Sequence, residues 1–179
     1  IMYTFRMIAY WYKQWSGDNA TYFKSDRITS NFPGGYTSHY WGSDDDSYTH
    51  QIFQASLAFA ILAWIVDIVA ILLVVFSLVG LFSKLPCLPM NILTKIMPIV
   101  VFVLCFISMF IFVGLPSAKK RDCEKQFGDG NCNAGGDLSK LVGSRDGFHW
   151  GPIEGWACVV VSTAFALGAT VVSLVAGNF

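Results

Sequence analysis

The residue whose type and position most clearly raise a chemical question is Asp67, in the middle of "LAFAILAWIVDIVAILLVVFSLVGLF" (residues 57–82). Asp67 is the one charged residue of this run, which contains 18 Leu, Ile, Val or Phe residues. A central aspartate opposes membrane insertion by about 2.5–3.5 kcal/mol, and each apolar residue favours it by about 0.3–0.6 kcal/mol. The run is therefore predicted to cross a membrane with Asp67 inside it. An acid there is either a proton or cation site, or a hydrogen-bonded packing residue.

Small and polar residues at intervals of three and four share a helix face with Asp67. These residues are Ser56, Ala60, Ala63, Ala70 and Ser77. A similar face in the last apolar run is formed by Cys158, Ser162, Ala166, Ala169, Ser173 and Ala176. Small residues let helices approach closely in lipid, where packing replaces the hydrophobic effect. We expect the two faces to pack against each other or a common partner, with the Asp67 carboxyl shielded from lipid.

Three stretches almost without charge indicate an α-helical membrane protein. Of the 179 residues, 54% are hydrophobic and 13% are charged, whereas soluble domains carry about 25% charged residues. Helices are predicted at 52–82, 96–116 and 156–177, and each reaches the length of about 20 residues that is needed to span a bilayer. We expect a bundle of at least three such helices, with a fourth preceding this chain. The middle helix is bulky and is expected to face lipid through Phe102, Phe106, Phe110 and Phe112.

The other segments are polar and aromatic, and they define the domain organisation. Segment 1–51 and loop 117–155 lie on one side of the membrane if the spans number three, and the short loop 83–95 lies on the other. Aromatic residues in segment 1–51 favour strands, and "NFPGGYTS" (31–38) supplies a turn between two of them. We predict a small β-containing extracellular face, with segment 1–51 as one domain and the bundle 52–179, including loop 117–155, as the other.

The two cysteines of "CEKQFGDGNC" are candidates for a disulfide. Cys123 and Cys132 flank a Gly-rich polar turn, which suits a bond on an oxidising side of the membrane. Two free thiols are the alternative, and zinc is disfavoured because further ligands at zinc spacing are missing. Cys87, Cys105 and Cys158 are expected to be free.

Three features of the sequence bear on which side of the membrane the larger segments occupy. Asn19 begins the glycosylation tripeptide "NAT", which is meaningful on the lumenal side. The predicted disulfide points to the same side, whereas "KKR" at 119–121 opposes it by the positive-inside rule. We place the larger segments outside the cell. Trp150 and Trp156 are then expected to anchor the chain at the membrane interface.

No motif requires an enzyme or a cofactor. The acids of "SDDDSYTH" (43–50) allow calcium binding or form a solvated turn, and their spacing is not that of an EF-hand loop. The sequence has no phosphate loop, nucleophile elbow or paired-acid motif. The net charge is zero, which gives no general attraction to nucleic acid.

The layout resembles the claudin-like tetraspan superfamily of claudins, peripheral myelin proteins and amastins. The similarity is carried by "QASLAFAILAW" (54–64) and "HWGPIEGWACVVVSTAFAL" (149–167), at the entrances of two helices. It implies a β-rich outer segment, two helices joined by a short inner loop, a second outer loop and a last helix. Residues 1–51 depart from the pattern because they lack the two cysteines of the family's outer segment, and the family's first helix is absent from this chain.

We expect a non-enzymatic protein of the plasma membrane or another surface membrane, which acts in lateral assembly or adhesion. Membrane lipid and other membrane protein chains, like or unlike, are the expected partners. The alternative is an accessory subunit of a larger channel, transporter or energy-converting complex, with Asp67 contacting its partner. A third possibility is a carrier that uses Asp67 as a proton or cation site.

Overall fold

The computed structural model describes residues 10–41, 47–79, 90–128, 132 and 140–176, which form six strands and four helices. The strands are β1 (Tyr12–Ser16), β2 (Asn19–Phe23), β3 (Arg27–Phe32), β4 (Gly35–Tyr40), β5 (Gly143–Arg145) and β6 (Phe148–Pro152). The helices are α1 (Tyr48–Leu78), α2 (Met90–Val113), α3 (Leu115–Phe127) and α4 (Glu154–Ala176).

Three helical runs in the described part of the chain are long and apolar enough to cross a membrane. They are Tyr48–Phe76, Lys95–Phe127 and Glu154–Val175. These runs overlap the three helices that the hydropathy pattern predicts, but the second continues 11 residues beyond the predicted end at residue 116. Residues 80–82 of the first prediction lie outside the described residues.

A separate charged helix, α3, follows α2 directly. Gly114 and Pro116 favour a new helix start here, because proline lacks the N–H that would bond to the preceding turn. Six of the residues from 119 to 125 are charged, and Lys120 pairs with Glu124 at 3.6 Å. The prediction that 117–155 is a loop is therefore wrong for α3 and for the two strands after it. A helix that is polar on all sides gives no apolar periodicity to detect.

The sheet is antiparallel and its strands lie in the order β4-β3-β2-β1-β6-β5. The predicted turn in "NFPGGYTS" is confirmed, since Phe32 of β3 pairs with Gly35 of β4. In the β5–β6 hairpin, Asp146 and Gly147 have φ of 50° and 78°, the conformation that a tight two-residue hairpin turn requires. Strand β6 pairs with β1, so the long polar segment after α2 completes the sheet that the first segment begins.

The chain divides into two compact units. The sheet unit holds Ile1–Leu57 and Met109–Cys158, and the helical unit holds Ala58–Ser108 and Val159–Phe179. Helices α1, α2 and α4 each contribute residues to both. The hydropathy pattern predicts a bundle that begins at residue 52, but the first turns of α1 belong with the sheet.

Phe112 lies at the centre of the sheet unit. Its side chain is fully buried (0% exposed), and its ring centroid lies 5.7 Å from Trp11, 5.8 Å from Phe53 and 6.2 Å from Trp156. The expectation that Phe112 faces lipid is therefore wrong, because aromatic residues distant in the sequence surround it. Phe110, two positions earlier on the same helix, is 56% exposed.

A small apolar core joins three helices within the helical unit. Its buried members are Ala63 of α1, Val101 and Cys105 of α2, and Ala166 of α4. Val66, Phe102 and Leu104 pack around them. The small-residue faces of α1 and α4 thus meet in one cluster with α2, as the sequence predicts for Ala63 and Ala166.

The packed face of α4 is displaced by one residue from the predicted one. Its buried positions are Val159, Thr163, Ala166 and Thr170. Ser162 and Ala169 of the predicted face are exposed, and Ser173 is half-buried. Thr163 Oγ1 donates to the Val159 carbonyl at 2.7 Å, and Thr170 Oγ1 donates to the Ala166 carbonyl at 2.8 Å. Because the helix itself satisfies these hydroxyls, the threonines can be buried.

Candidate binding surface

The sheet has two chemically different faces because side chains alternate along each strand. In β1, Tyr12 and Gln14 lie on one face, and Lys13 and Trp15 lie on the other, each beside its registered partners. The face of Tyr12 is named the inner face, and the face of Trp15 is named the aromatic face. The aromatic face consists of Tyr10, Lys13, Trp15, Tyr22, Lys24, Arg27, Tyr40 and His149.

Stacked rings and a lysine form the centre of the aromatic face. The Trp15 and His149 rings are stacked with centroids 5.4 Å apart. Lys13 Nζ lies 5.1 Å from the centroid of Trp15 and 5.1 Å from that of Tyr22, within the range of a cation–π contact. Tyr22 meets Tyr10 edge-on at 5.1 Å. These half-exposed side chains hold one another in place, which gives the surface a fixed shape.

Two further cations lie on rings at the edges of this face. Lys24 Nζ is 4.1 Å from the Tyr10 centroid, and the Arg27 guanidinium carbon is 4.6 Å from the Tyr40 centroid. Asp26 accepts from Arg27 Nη2 at 2.8 Å and from Arg27 Nε at 2.9 Å. Burial opposes ionisation of Asp26, but the hydrogen bond and charge of Arg27 prevail and hold its pKa below the ordinary value. Among the described residues the aromatic face therefore carries a net positive charge, since this acid balances one of its three Lys and Arg residues.

The inner face is covered around Tyr12, where the amine of a lysine is buried. Lys119 Nζ of α3 lies 3.6 Å from the centroid of Tyr12 and 5.0 Å from that of Phe23. This nitrogen is shielded from solvent and has no hydrogen-bond partner among the described residues. Burial raises the pKa of the Tyr12 phenol above its ordinary value, so Tyr12 is neutral at physiological pH.

Asp122 of α3 caps the first turn of α1. Its carboxylate accepts from Ser47 Oγ at 2.8 Å and from the backbone N–H groups of Tyr48 at 2.7 Å and Thr49 at 2.8 Å. The first N–H groups of a helix have no partner inside the helix, and a carboxylate satisfies them while matching the positive end of the helix dipole. This contact joins two segments more than 70 residues apart, and sequence analysis missed it.

The disulfide between Cys123 and Cys132 that the sequence predicts is confirmed. Cys132 is buried, and Cys123 lies on α3 beside the capping residue Asp122. Cys105 and Cys158 are free, as predicted, and Cys87 lies outside the described residues. The bond therefore holds α3 to the segment that follows it.

Replacing Cys123 by serine is expected to destabilise the protein by about 2–3 kcal/mol, because the closed loop of about ten residues gains freedom in the unfolded chain. Thermal unfolding in detergent micelles measures this effect. The matched control is Cys158→Ser, since Cys158 is free and exposed. Free thiols at both Cys123 and Cys132, detected by non-reducing mass spectrometry of native membranes, would contradict the pairing.

Other predicted site residues occupy different environments. Asn19 is exposed at the start of β2, beside the β1–β2 turn.

Trp150 is 5% exposed and donates its indole N–H to the Lys140 carbonyl at 3.2 Å. The prediction that it anchors the chain at a membrane interface is therefore wrong. Its ring fills the inner face of the sheet, where the partner strand offers only Gly143. Trp156 is half-buried against Phe112.

The predicted helix-packing face of α1 is covered only in part. Ser56 and Ala63 are buried, and Ala60 and Ala70 are half-buried. The side chain of Ser77 lies outside the described residues. Asp67 is exposed and has no hydrogen bond among the described residues. The expectation that its carboxyl is shielded is therefore not met within a single chain.

The residues considered for calcium binding lie mostly outside the described part of the chain, which omits 42–46. His50, at the end of that segment, stacks on Trp41 with centroids 4.9 Å apart and bonds to Gln54 at 2.8 Å. Among the described residues there is no group of three or more His, Cys, Asp or Glu side chains that could hold a metal ion.

Comparison with known proteins gives one informative similarity. No protein family and no solved structure matches the chain. A stretch of 75 residues, 41% of the chain, is 36% identical to an uncharacterized transmembrane protein of Dictyostelium discoideum and covers 31% of that protein's length. This similarity and the three apolar helices identify the chain as an integral membrane protein with a small antiparallel sheet.

Proposed function

We propose that the chain is a non-enzymatic membrane protein that acts in lateral assembly or adhesion, with the aromatic face as its contact surface. The observation that carries this proposal is the interleaving of rings and cations on a half-exposed sheet face. Tyr, Trp and Arg contribute most to the binding free energy of protein interfaces. Side chains that already stack on one another also lose less conformational freedom on binding.

The charge of this face favours an acidic partner. In the part of the chain that the structure describes, Lys13, Lys24 and Arg27 are opposed by one nearby acid, Asp26, which already pairs with Arg27. Two copies of the face would bring these cations together, and like charges across an interface are unfavourable. The proposed partner surface is therefore an acidic one on another membrane protein.

We further propose that the sheet unit lies outside the cell, at the plasma membrane or another surface membrane. The disulfide supports this placement, because such bonds persist in oxidising compartments, and the exposed position of Asn19 would leave it open to glycosylation. A claudin-like relationship is part of the same proposal. It is supported by the β-rich segment before α1 and the polar segment between α2 and α4.

The adhesion proposal is tested with cells that express the full chain. We expect such cells to adhere to cells that display acidic membrane proteins but not this chain, and the double substitution Lys13→Ala with Trp15→Ala to lower this adhesion about tenfold or more, since truncating a central interface tryptophan alone costs about 2 kcal/mol. The matched control is His39→Ala, because His39 is exposed in the same sheet on the opposite face. Equal adhesion of the double and control variants would contradict the proposal, as would a wild type that neither adheres to such cells nor assembles with another membrane chain on native gels.

A second candidate function, an accessory subunit of a larger channel, transporter or energy-converting complex, is favoured by Asp67. This acid is exposed on an apolar helix, and an ionisable group inside a membrane normally faces protein or water rather than lipid. A helix of another subunit with a polar or cationic side chain would cover it.

Substitutions of Asp67 separate these roles. We expect Asp67→Asn to keep the partner subunits, because the amide retains hydrogen bonds, and Asp67→Leu to lose them while the chain still folds. Co-purification from native membranes measures both, with the exposed position Ile65→Leu as control. Loss of ion or proton flux in Asp67→Asn with the assembly intact would contradict the accessory role and indicate a carrier instead.

A further inference from the structure

We propose that strand β4 pairs antiparallel with β4 of a second copy of this chain, so that two sheets join edge to edge. Strand β4 (Gly35–Tyr40) is the last strand on one side of the sheet, and all of its residues are exposed. An uncovered edge strand offers unpaired backbone N–H and C=O groups to another chain. This contact goes beyond the function proposed above, because that contact surface is a face of the sheet and this one is an edge.

The hydrogen bonds beside β4 determine which of its backbone groups point away from the sheet. In an antiparallel pair, hydrogen-bonded residue pairs alternate with pairs that are not hydrogen-bonded. Just beyond the paired residues, the Trp41 N–H donates to the Asp26 carbonyl at 3.2 Å. The neighbouring pair, Arg27 with Tyr40, is therefore not hydrogen-bonded, and neither is every second pair after it. The residues whose backbone groups point to the open edge are Tyr36, Ser38 and Tyr40.

Strand β4 lacks the features that normally protect an edge. Protected edge strands carry charged residues, proline or a bulge, or are very short. The sequence of β4 is "GYTSHY", and its pairing with β3 is uninterrupted. The opposite edge strand, β5, has only three residues and includes Arg145. In the sheet that the structure describes, β4 is therefore the edge that a further strand can extend.

The residues along this edge favour a second copy as the occupant. Tyr36 and Tyr40 lie at equal distances on either side of Ser38. Two antiparallel copies that meet at Ser38 therefore place Tyr36 of each copy opposite Tyr40 of the other. In this register each outward N–H group meets an outward C=O group, which gives about six hydrogen bonds between the copies. The tyrosines add an aromatic cross-strand pair on each side of the centre.

The charges of the two copies are compatible with this pairing. Strand β4 has no Lys, Arg, Asp or Glu residue, so no like charges lie directly opposite each other, which would be unfavourable. Arg27 of the neighbouring strand is paired with Asp26 at 2.8 Å. In the register centred on Ser38, the two copies of Arg27 lie roughly 20 Å apart, beyond the distance at which salt screens exposed charges. Both aromatic faces stay open, on the same side of the joined sheet.

Replacing Ser38 by proline tests the pairing, because proline removes an N–H group that points outward and leaves the hydrogen bonds to β3 in place. Light scattering after size-exclusion chromatography of the full chain in detergent micelles measures the dimer. We expect the wild type to dimerise and Ser38→Pro to raise the dissociation constant about tenfold or more, since both copies lose a hydrogen bond. Ser38→Ala keeps the N–H group and is the matched control.

Two results of this experiment overturn the proposal. One is a monomeric wild type, which is also the result expected if the edge takes a strand of a different protein instead. The other is equal dimerisation of Ser38→Pro and Ser38→Ala, which would place the contact between copies on another surface.

Cysteine cross-linking in native membranes tests the register without a proline. The two Cα atoms of residue 38 are expected about 5.5 Å apart, within the range of a disulfide. Those of residue 37 are expected about 8 Å apart, too far for that bond. After mild oxidation, Ser38→Cys should give a dimer on non-reducing gels that Thr37→Cys and the wild type do not give. No cross-linked dimer from Ser38→Cys, or the same amount from Thr37→Cys, overturns the proposal.

Discussion

Replacing Phe112 by alanine is expected to destabilise the sheet unit by about 3–5 kcal/mol, the usual range for a buried phenylalanine. The ring is fully buried and contacts Trp11, Phe53 and Trp156. These partners come from the residue just before β1, from α1 and from α4, so the cavity that alanine leaves would loosen three parts of the chain at once. Close packing of the remaining rings cannot refill it without moving the backbone. Thermal unfolding of the full chain in detergent micelles measures the loss.

The matched control for Phe112 is Phe110→Ala. Phe110 lies two positions away on α2 and is 56% exposed, so its removal deletes the same atoms but opens no cavity inside the chain. We expect a change below about 1 kcal/mol for this variant, as for substitutions away from a packed core. Equal unfolding midpoints for the two variants would show that Phe112 is not packed as described.

The membrane helices could be predicted because their signal is long and local. Runs of about 20 apolar residues have few other stable forms, and α1, α2 and α4 lie where these runs occur. Aromatic residues in segment 1–51 predicted strands there, and "NFPGGYTS" predicted the turn between two of them, but neither feature gave the number of strands. Helix α3 was not, because its sequence is charged on all sides, and β5 and β6 are short and Gly-rich.

The candidate sites were harder to predict because their parts are distant in the sequence. In "KKRD" (119–122), a local pattern shows only a charge cluster beside a membrane helix. The fold gives two of these residues different roles, since Lys119 Nζ is buried against Tyr12 and Asp122 caps α1. Both roles depend on a strand and a helix start more than 70 residues earlier. Periodicity also identified Ala63 and Ala166 as packing residues, but it did not show that threonines on α4 could be buried through bonds to their own helix.

Asp122→Ala is expected to destabilise the protein by about 2–4 kcal/mol. Each hydrogen bond to a charged group contributes about 1.5–3 kcal/mol, and losing a helix cap costs about 0.5–2 kcal/mol. Asp122 makes three such bonds, to Ser47 Oγ and to the N–H groups of Tyr48 and Thr49. Water replaces part of what is lost at this partly exposed helix end, which keeps the expected total below the sum of three bonds.

Hydrogen exchange identifies the mechanism of this loss. In Asp122→Ala, the amides of Tyr48 and Thr49 should exchange faster because nothing else caps them. Asp122→Asn should lie between the alanine variant and the wild type, since the amide oxygen still accepts a bond but carries no charge toward the helix dipole. Glu124→Ala is the control, because this acid of the same helix makes a surface ion pair with Lys120 at 3.6 Å, worth little to stability. If the two amides exchange at the wild-type rate in Asp122→Ala, the carboxylate does not cap α1, and any destabilisation must come from elsewhere on α3.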